Sequence, residues 1–258
     1  MHSYANRPLV NCGRSIAMPV KLPSLARATT KRGVDPLKGN CSRSLPLPME
    51  SLATIMRCRR GKTIHGRGDP VDDWFRVVSG MATKSTLMAD GRRQIVDFLL
   101  PGDFFGFSAR NIRAFDVEVI SEDTVVVRYP RRLVEPLVDS NPGIARQIRE
   151  RAFESITRMQ GRVVVLGQPT TLKKVCAFLL EMADRPCNRT SGDIVLPMSR
   201  YDIADYLAIS VETVSRTLTI LKRHGVIALS KRRTVKIIDR AALEEGGEKR
   251  RAMPASEC

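Results

Sequence analysis

Residues 199–225 constrain the fold of this chain more than any other stretch. SRYDIADYLA, then IS, then VETVSRTLTILKRHG carries two apolar stripes at helical spacing with a short turn between them. Ser199 with Asp202 three positions on is a variant of the capping box, and Ser210 is placed to accept from the first free amides of a second helix. The first helix would bury Ile203, Ala204 and Leu207, and the second Val214, Leu218 and Leu221. Two short helices, each with one apolar face, pack at a steep angle as a helix-turn-helix. Gly225 supplies the left-handed residue that ends the second helix. Two β runs follow at 226–229 and 234–238, joined by Ser230, Lys231, Arg232 and Arg233, which reads as a wing with a cationic tip.

Glu212, Ser215 and Arg216 share one face at the exposed start of the second helix, where a recognition helix reaches base edges. Arginine offers a fork for guanine N7 and O6, glutamate accepts from cytosine N4, and serine suits adjacent edges or thymine. The plainer reading of Glu212 and Arg216 is a surface pair of about 0.3–0.5 kcal/mol; both readings hold together if the pair orients Arg216. Phosphate contacts fall to Ser199, Arg200, Ser210 and Thr213 and to Lys231, Arg232 and Arg233, which supply affinity without sequence information.

A formal charge of +16, from 43 basic and 27 acidic residues, calls for a polyanionic partner. Almost half of the excess lies before residue 46, in a segment of eight basic and one acidic side chains with four prolines. Such a composition cannot bury a core of its own. It reads either as an electrostatic tether to DNA or as an unstructured extension from an early start codon, with Met49 opening the first globular segment. A similar tail follows residue 246. No apolar run reaches the length of a membrane span, and Arg7, Asn11, Arg14, Lys21 and prolines interrupt any secretory signal. The expectation is a cytoplasmic protein without membrane contact. Six cysteines, none in a Cys-x-x-Cys spacing, suggest neither a disulfide framework nor a zinc site.

From Lys62 to Tyr129 short alternating runs are broken by turn residues, the pattern of an antiparallel β domain. Asp90-Gly91 predicts a type I′ hairpin, and Pro101-Gly102-Asp103 a corner that leads into Phe104 and Phe105. Asn141-Pro142 then opens a helix whose apolar positions, Ile144, Ile148, Ala152, Ile156, Met159, Val163 and Leu166, recur at intervals of three and four. Arg146, Arg149, Glu150, Arg151, Glu154 and Arg158 are assigned to its other faces. A stripe of this kind docks on its own β domain or zips against a second copy; the second reading makes Ile148, Ala152, Ile156, Met159, Val163 and Leu166 a dimer seam. Another amphipathic helix covers 170–184, with Cys176 a core residue. The expected fold is α+β: a basic arm at 1–45, an antiparallel β-roll, a small jelly roll or barrel, at 46–140, a dimerisation helix at 141–168, a winged helix-turn-helix at 169–245 and a tail at 246–258.

Across residues 50–245, and above all in SRYDIADYLAISVETVSRTLTILKRHGVI, the chain resembles the Crp/Fnr family of transcription regulators. Glu-Thr-Val-Ser-Arg at 212–216 is similar to the motif of its Fnr and FixK branches. The resemblance makes the roll cyclic-nucleotide-binding-like and implies a homodimer on double-stranded DNA, with Glu212, Ser215 and Arg216 reading TTGA…TCAA half-sites. It also implies recruitment of RNA polymerase, mainly as an activator. The family's sensory chemistry is largely missing. Gly106 is followed by Phe107 where cyclic-nucleotide members carry Gly-Glu, 109–119 lacks their Arg-Ser pair, and Asp116 is expected to repel an anion. Cys12, Cys41 and Cys58 are too far apart to ligate the iron–sulfur cluster of Fnr, and the β-roll is expected to contain no cysteine. His65, the only counterpart of an axial haem ligand, reads as a satisfied polar residue on an early strand. FixK is therefore the branch that fits, which implies low-oxygen control without a bound effector, cofactor or metal. Cys187, in a polar loop, is a candidate redox thiol. The alternative is a switch gated by an unidentified ligand or by oxidation. No phosphate-binding Gly-rich loop, nucleophile elbow or histidine constellation points to an enzyme.

Overall fold

The computed structural model describes residues 47–108, 110–185, 187, 193–230 and 234–247. The basic arm, the wing tip at Lys231, Arg232 and Arg233, and the tail beyond 247 lie outside the described residues.

Two four-stranded antiparallel sheets form the β-roll. One runs β1 (Thr54–Cys58), β8 (Thr124–Pro130), β3 (Asp73–Ser79), β6 (Phe104–Phe105); the other runs β2 (Thr63–His65), β7 (Asp116–Val119), β4 (Ala82–Leu87), β5 (Arg93–Leu99). Alternation along the strands sends Phe75, Val77, Ala82, Leu99, Phe105, Val117 and Val126 into the space between the sheets. A second cluster holds α1 (Leu47–Glu50), α2 (Arg131–Ser140) and the start of α3 (Pro142–Leu166) to the roll through Met49, Phe104, Tyr129, Val134 and Ile144. The sequence reading has no helix at 131–140. Pro136 sits inside it, where the interior of a helix disfavours proline, and its apolar residues mark the face that docks on the roll.

Three further expectations need correction. Cys58 ends β1 and is buried, so the roll does contain a cysteine. The β4–β5 hairpin forms, but Gly91 alone of its central residues has positive φ, at 81°. Met88 N–H donates to Arg92 O at 2.8 Å and Gly91 N–H to Met88 O at 3.0 Å, which makes a three-residue loop closed by a left-handed glycine instead of a type I′ turn. Arg158 does not face solvent: it pairs with Asp97 at 3.6 Å and Asp103 at 3.4 Å, at the corner that 101–103 makes.

The C-terminal domain comprises α4 (Thr171–Asp184), β9 (Asp193–Val195), α5 (Arg200–Leu207), α6 (Val211–Arg223), β10 (Ile227–Leu229), β11 (Thr234–Ile237) and α7 (Arg240–Glu244). β9 adds a third antiparallel strand to the wing, in a stretch to which the sequence pattern assigns no element. Gly246 N–H and Gly247 N–H donate back to Leu243 O and Ala242 O, so 246–247 close α7. One apolar cluster runs without interruption from Met81, Ile95, Phe98 and Leu100 of the roll into Phe178, Leu179, Tyr206, Val214 and Leu221. Burial of side chains this size stabilises by about 1.5–3 kcal/mol each, so the roll and the C-terminal domain share a core.

Candidate nucleic-acid interface

Local chemistry builds the helix pair as the sequence dictates. The Ser199 hydroxyl accepts from Asp202 N–H at 3.1 Å, and Asp202 accepts from Ser199 N–H at 2.8 Å, a complete reciprocal cap at the start of α5. Ser210 caps α6 in the same way, accepting from Thr213 N–H at 3.2 Å, while its hydroxyl lies 2.9 Å from that of Thr213. Val214, Leu218 and Leu221 are buried as expected, together with Thr217. Between the helices Ala208 holds φ at 53°, a left-handed value unusual for a residue with a Cβ, and this keeps the turn to three residues.

The opposite face of α6 is open. Glu212, Ser215 and Arg216 are all exposed, and Thr219, Lys222 and Arg223 continue the same polar surface. The Glu212 carboxyl lies below the usual carboxylate range because its own backbone amide and the Ser210 hydroxyl stabilise its charge, with a weaker pull from Arg216. Lys222 and Arg223 in the last turn suit the negative end of the helix dipole. Arg200, half-buried, and Tyr201, exposed, line a cleft with Ser230 and Thr234 between α5 and the wing. Tyr201 escaped the sequence reading; an exposed aromatic residue beside a cationic wing was the available signal.

On α3 the apolar stripe divides. Ile144 is buried and Ile148 packs on the roll, while Ala152 and Leu166 are half-buried. Ile156, Met159 and Val163 are 47%, 52% and 70% exposed, and Phe153 and Val164, outside the sequence-derived seam, join them at 58% and 64%.

The interior of the roll presents different chemistry. His65, Lys84, Phe105, Phe107, Arg113 and Phe115 surround a cavity of about 190 Å³, below the range of ordinary ligand pockets. Arg113 donates to Gly106 O and to Asp73 O, each at 2.6 Å, and lies over the Phe75 ring. A Cβ at residue 106, where φ is 90°, would come within 2.8 Å of that guanidinium, so only glycine admits this approach. Asp116 does not face the cavity, contrary to expectation: it accepts from Arg67 N–H at 2.8 Å on the other side of β7. His65 is not a satisfied polar residue either. Both ring nitrogens are shielded and have no hydrogen-bond partner among the described residues, and the ring packs near Phe75 and Phe105. Burial, reinforced by Arg113, lowers its pKa to about 4. With the one arginine committed to backbone carbonyls, the residues present do not fit a cyclic nucleotide. Among the described residues no cluster of His, Cys, Asp or Glu could hold a metal ion. Burial pushes the Cys58 thiol up and that of Cys176 up to about 11, which leaves both largely protonated. Cys187 is half-buried against the C-terminal core.

A capped helix-turn-helix with an open polar face, a three-stranded wing and an attached antiparallel roll define a winged-helix DNA-binding regulator. Residues 173–245 match the Crp-like helix-turn-helix domain, and residues 55–141 the cyclic nucleotide-binding domain. The nitrogen fixation regulation protein FixK of Rhizobium meliloti is 36% identical over 77% of this chain and 89% of its own length. The transcriptional activator protein FnrL of Cereibacter sphaeroides is 34% identical over 77% and 85%. FixK2 from Bradyrhizobium japonicum superposes with a TM-score of 0.71 at 33% identity, covering 76% of this chain and 98% of that one. The chain belongs to the Crp/Fnr family of transcription regulators, on its FixK-like branch, and is a DNA-binding protein, not an enzyme. No described helix is long and apolar enough to cross a membrane.

Proposed function

We propose that the protein acts as a homodimeric transcription regulator, mainly an activator, that reads TTGA…TCAA palindromes in the cytoplasm and recruits RNA polymerase under low-oxygen control without a bound effector. The open face of α6 carries this reading: Glu212, Ser215 and Arg216 stand exposed at the capped end of a helix, the place from which base edges are reached. Ser199, Arg200, Ser210 and Thr213, with Lys231, Arg232 and Arg233 of the wing, take the phosphates. The exposed apolar stripe on α3 supports pairing with a second copy, which would set two α6 helices one turn of DNA apart. The FixK relatives are named for regulating nitrogen fixation, which supports the low-oxygen setting. Arg113, whose guanidinium is spent on Gly106 O and Asp73 O instead of facing a ligand, supports independence from an effector.

Footprinting on a TTGA…TCAA palindrome, with and without reductant, tests the proposal. Full protection by the purified chain in both conditions is the expected result. Protection that appears only after adding a small molecule would favour a ligand gate, and protection that follows oxidation would favour a thiol such as Cys187. Arg232→Ala should weaken binding to all sequences alike and flatten its salt dependence.

A further inference from the structure

The β-roll grips α5, the first helix of the helix-turn-helix, at both ends. Arg93, the first residue of β5, forks between two carboxylates one turn apart on α5: its Nη2 pairs with Asp202 and its Nε with Asp205 at 2.9 Å. The other Asp202 oxygen is the one that caps α5, accepting from Ser199 N–H and from the Ser199 hydroxyl at 2.7 Å. Next along β5, the Gln94 side-chain amide donates to Asp205 O and, at 3.5 Å, to Tyr206 O. These carbonyls belong to the last turn, which a helix leaves without partners of its own. Arg162 of α3 supplies a third hold, donating to Tyr206 O at 3.2 Å and to Val96 O of β5 at 3.0 Å, with its guanidinium 4.7 Å over the Tyr206 ring. Beyond Tyr206 only the left-handed Ala208 turn separates α5 from α6. A tilt of α5 therefore passes directly into the recognition helix.

We propose that Arg93 and Gln94 are positioning residues for DNA recognition, which fix the angle at which the β-roll presents α6 and so the separation of the two reading helices of a dimer. This rests on the dimeric reading above. Neither residue touches a base, so a single half-site should not register their loss. A palindrome should, because both helices must fit at once and the second contact depends on the effective concentration that geometry allows.

The test titrates the full chain by fluorescence anisotropy against duplexes carrying one half-site, or two at the expected spacing and at spacings one and two base pairs to either side. The wild type should prefer one spacing by about tenfold or more. Arg93→Ala should lose about tenfold on that palindrome, bind all spacings within about twofold of one another, and keep its half-site affinity within about twofold. Arg93→Lys, which keeps the charge but cannot fork between two carboxylates, should fall between the two. Asp205→Ala, which severs one arm at the surface, should move the same way by about threefold and keeps the test usable if Arg93→Ala folds poorly. Equal losses on half-site and palindrome in both alanine variants, or an unchanged spacing preference in either, would overturn the proposal. A wild-type chain without any spacing preference sinks the dimeric reading, and the positioning role with it.

Discussion

Two helices of this chain each leave one face uncovered, with opposite chemistry. α6 buries Val214, Thr217, Leu218 and Leu221 and shows Glu212, Ser215, Arg216 and Thr219; α3 turns Arg158 and Arg162 inward and shows Phe153, Ile156, Met159 and Val163. The first face offers hydrogen bonds and charge that water satisfies at little cost, and so suits a wet, polyanionic partner. The second offers only apolar area, whose removal from water is worth about 25 cal/mol per Å², and so suits a like surface. The second half of the helix, which reads as ordinary amphipathic periodicity, turns Arg158 and Arg162 inward and leaves Ile156, Met159 and Val163 outside, while Ile144 and Ile148 of the first half pack on the roll. That inversion argues for a dimer better than the spacing does.

The largest effect should come from spoiling the apolar face. Ile156→Glu with Val163→Glu should give a monomer by light scattering at micromolar concentration and lower palindrome affinity by about a hundredfold or more, with half-site binding unchanged. A dimer that survives this change breaks the comparison at once. Arg216→Ala, on the polar face, should cost about 1–3 kcal/mol on the cognate site and nothing on random duplex, as read by competition binding. Equal loss on both would reduce Arg216 to a phosphate contact.

A smaller effect separates both faces from the interior. His65 has its pKa lowered to about 4 in the folded roll, against about 6.5 unfolded. Between these values the unfolded chain binds the extra proton, so the stability it contributes is present above pH 6.5 and is lost as pH falls toward 4. His65→Phe should therefore reduce the loss of stability between pH 7 and pH 5, measured by urea unfolding, by about 1–2 kcal/mol. Dimerisation through Ile156, Met159 and Val163 should not follow that titration, since these side chains carry no ionisable group. The smallest change, Ser210→Ala, removes one cap and should cost about 1 kcal/mol of domain stability.

What was legible in the sequence was what neighbours along the chain decide. Ser199 with Asp202, Ser210 with Thr213 and Asn141 with Gly143 and Ile144 are bonds across two or three residues, and each is readable from residue type and spacing. The hairpin at Asp90-Gly91 was legible as a hairpin, but its loop length depends on the register of β4 against β5, which the dipeptide does not encode. β9 is too short to show a period. The charges that join the two domains were invisible for a different reason: Arg93 and Asp205 are 112 positions apart, and nothing in helical spacing distinguishes Arg158, which enters the roll, from Arg149, which stays in water. The candidate reading face could thus be named residue by residue, while the brace behind it could not.

Arg185 reaches from the end of α4 back to Asp97 and to Phe98 O, the latter at 2.8 Å, and shares Asp97 with Arg158. Burial pushes the Asp97 carboxyl up while Arg185 and Arg158 pull against it, so removing either guanidinium leaves a buried carboxylate with one counter-ion in place of two. Anyone who transplants this reading head onto a foreign sensor must therefore carry the matching aspartate along with it. The two halves are less like interchangeable parts than like a lock shipped with its own key.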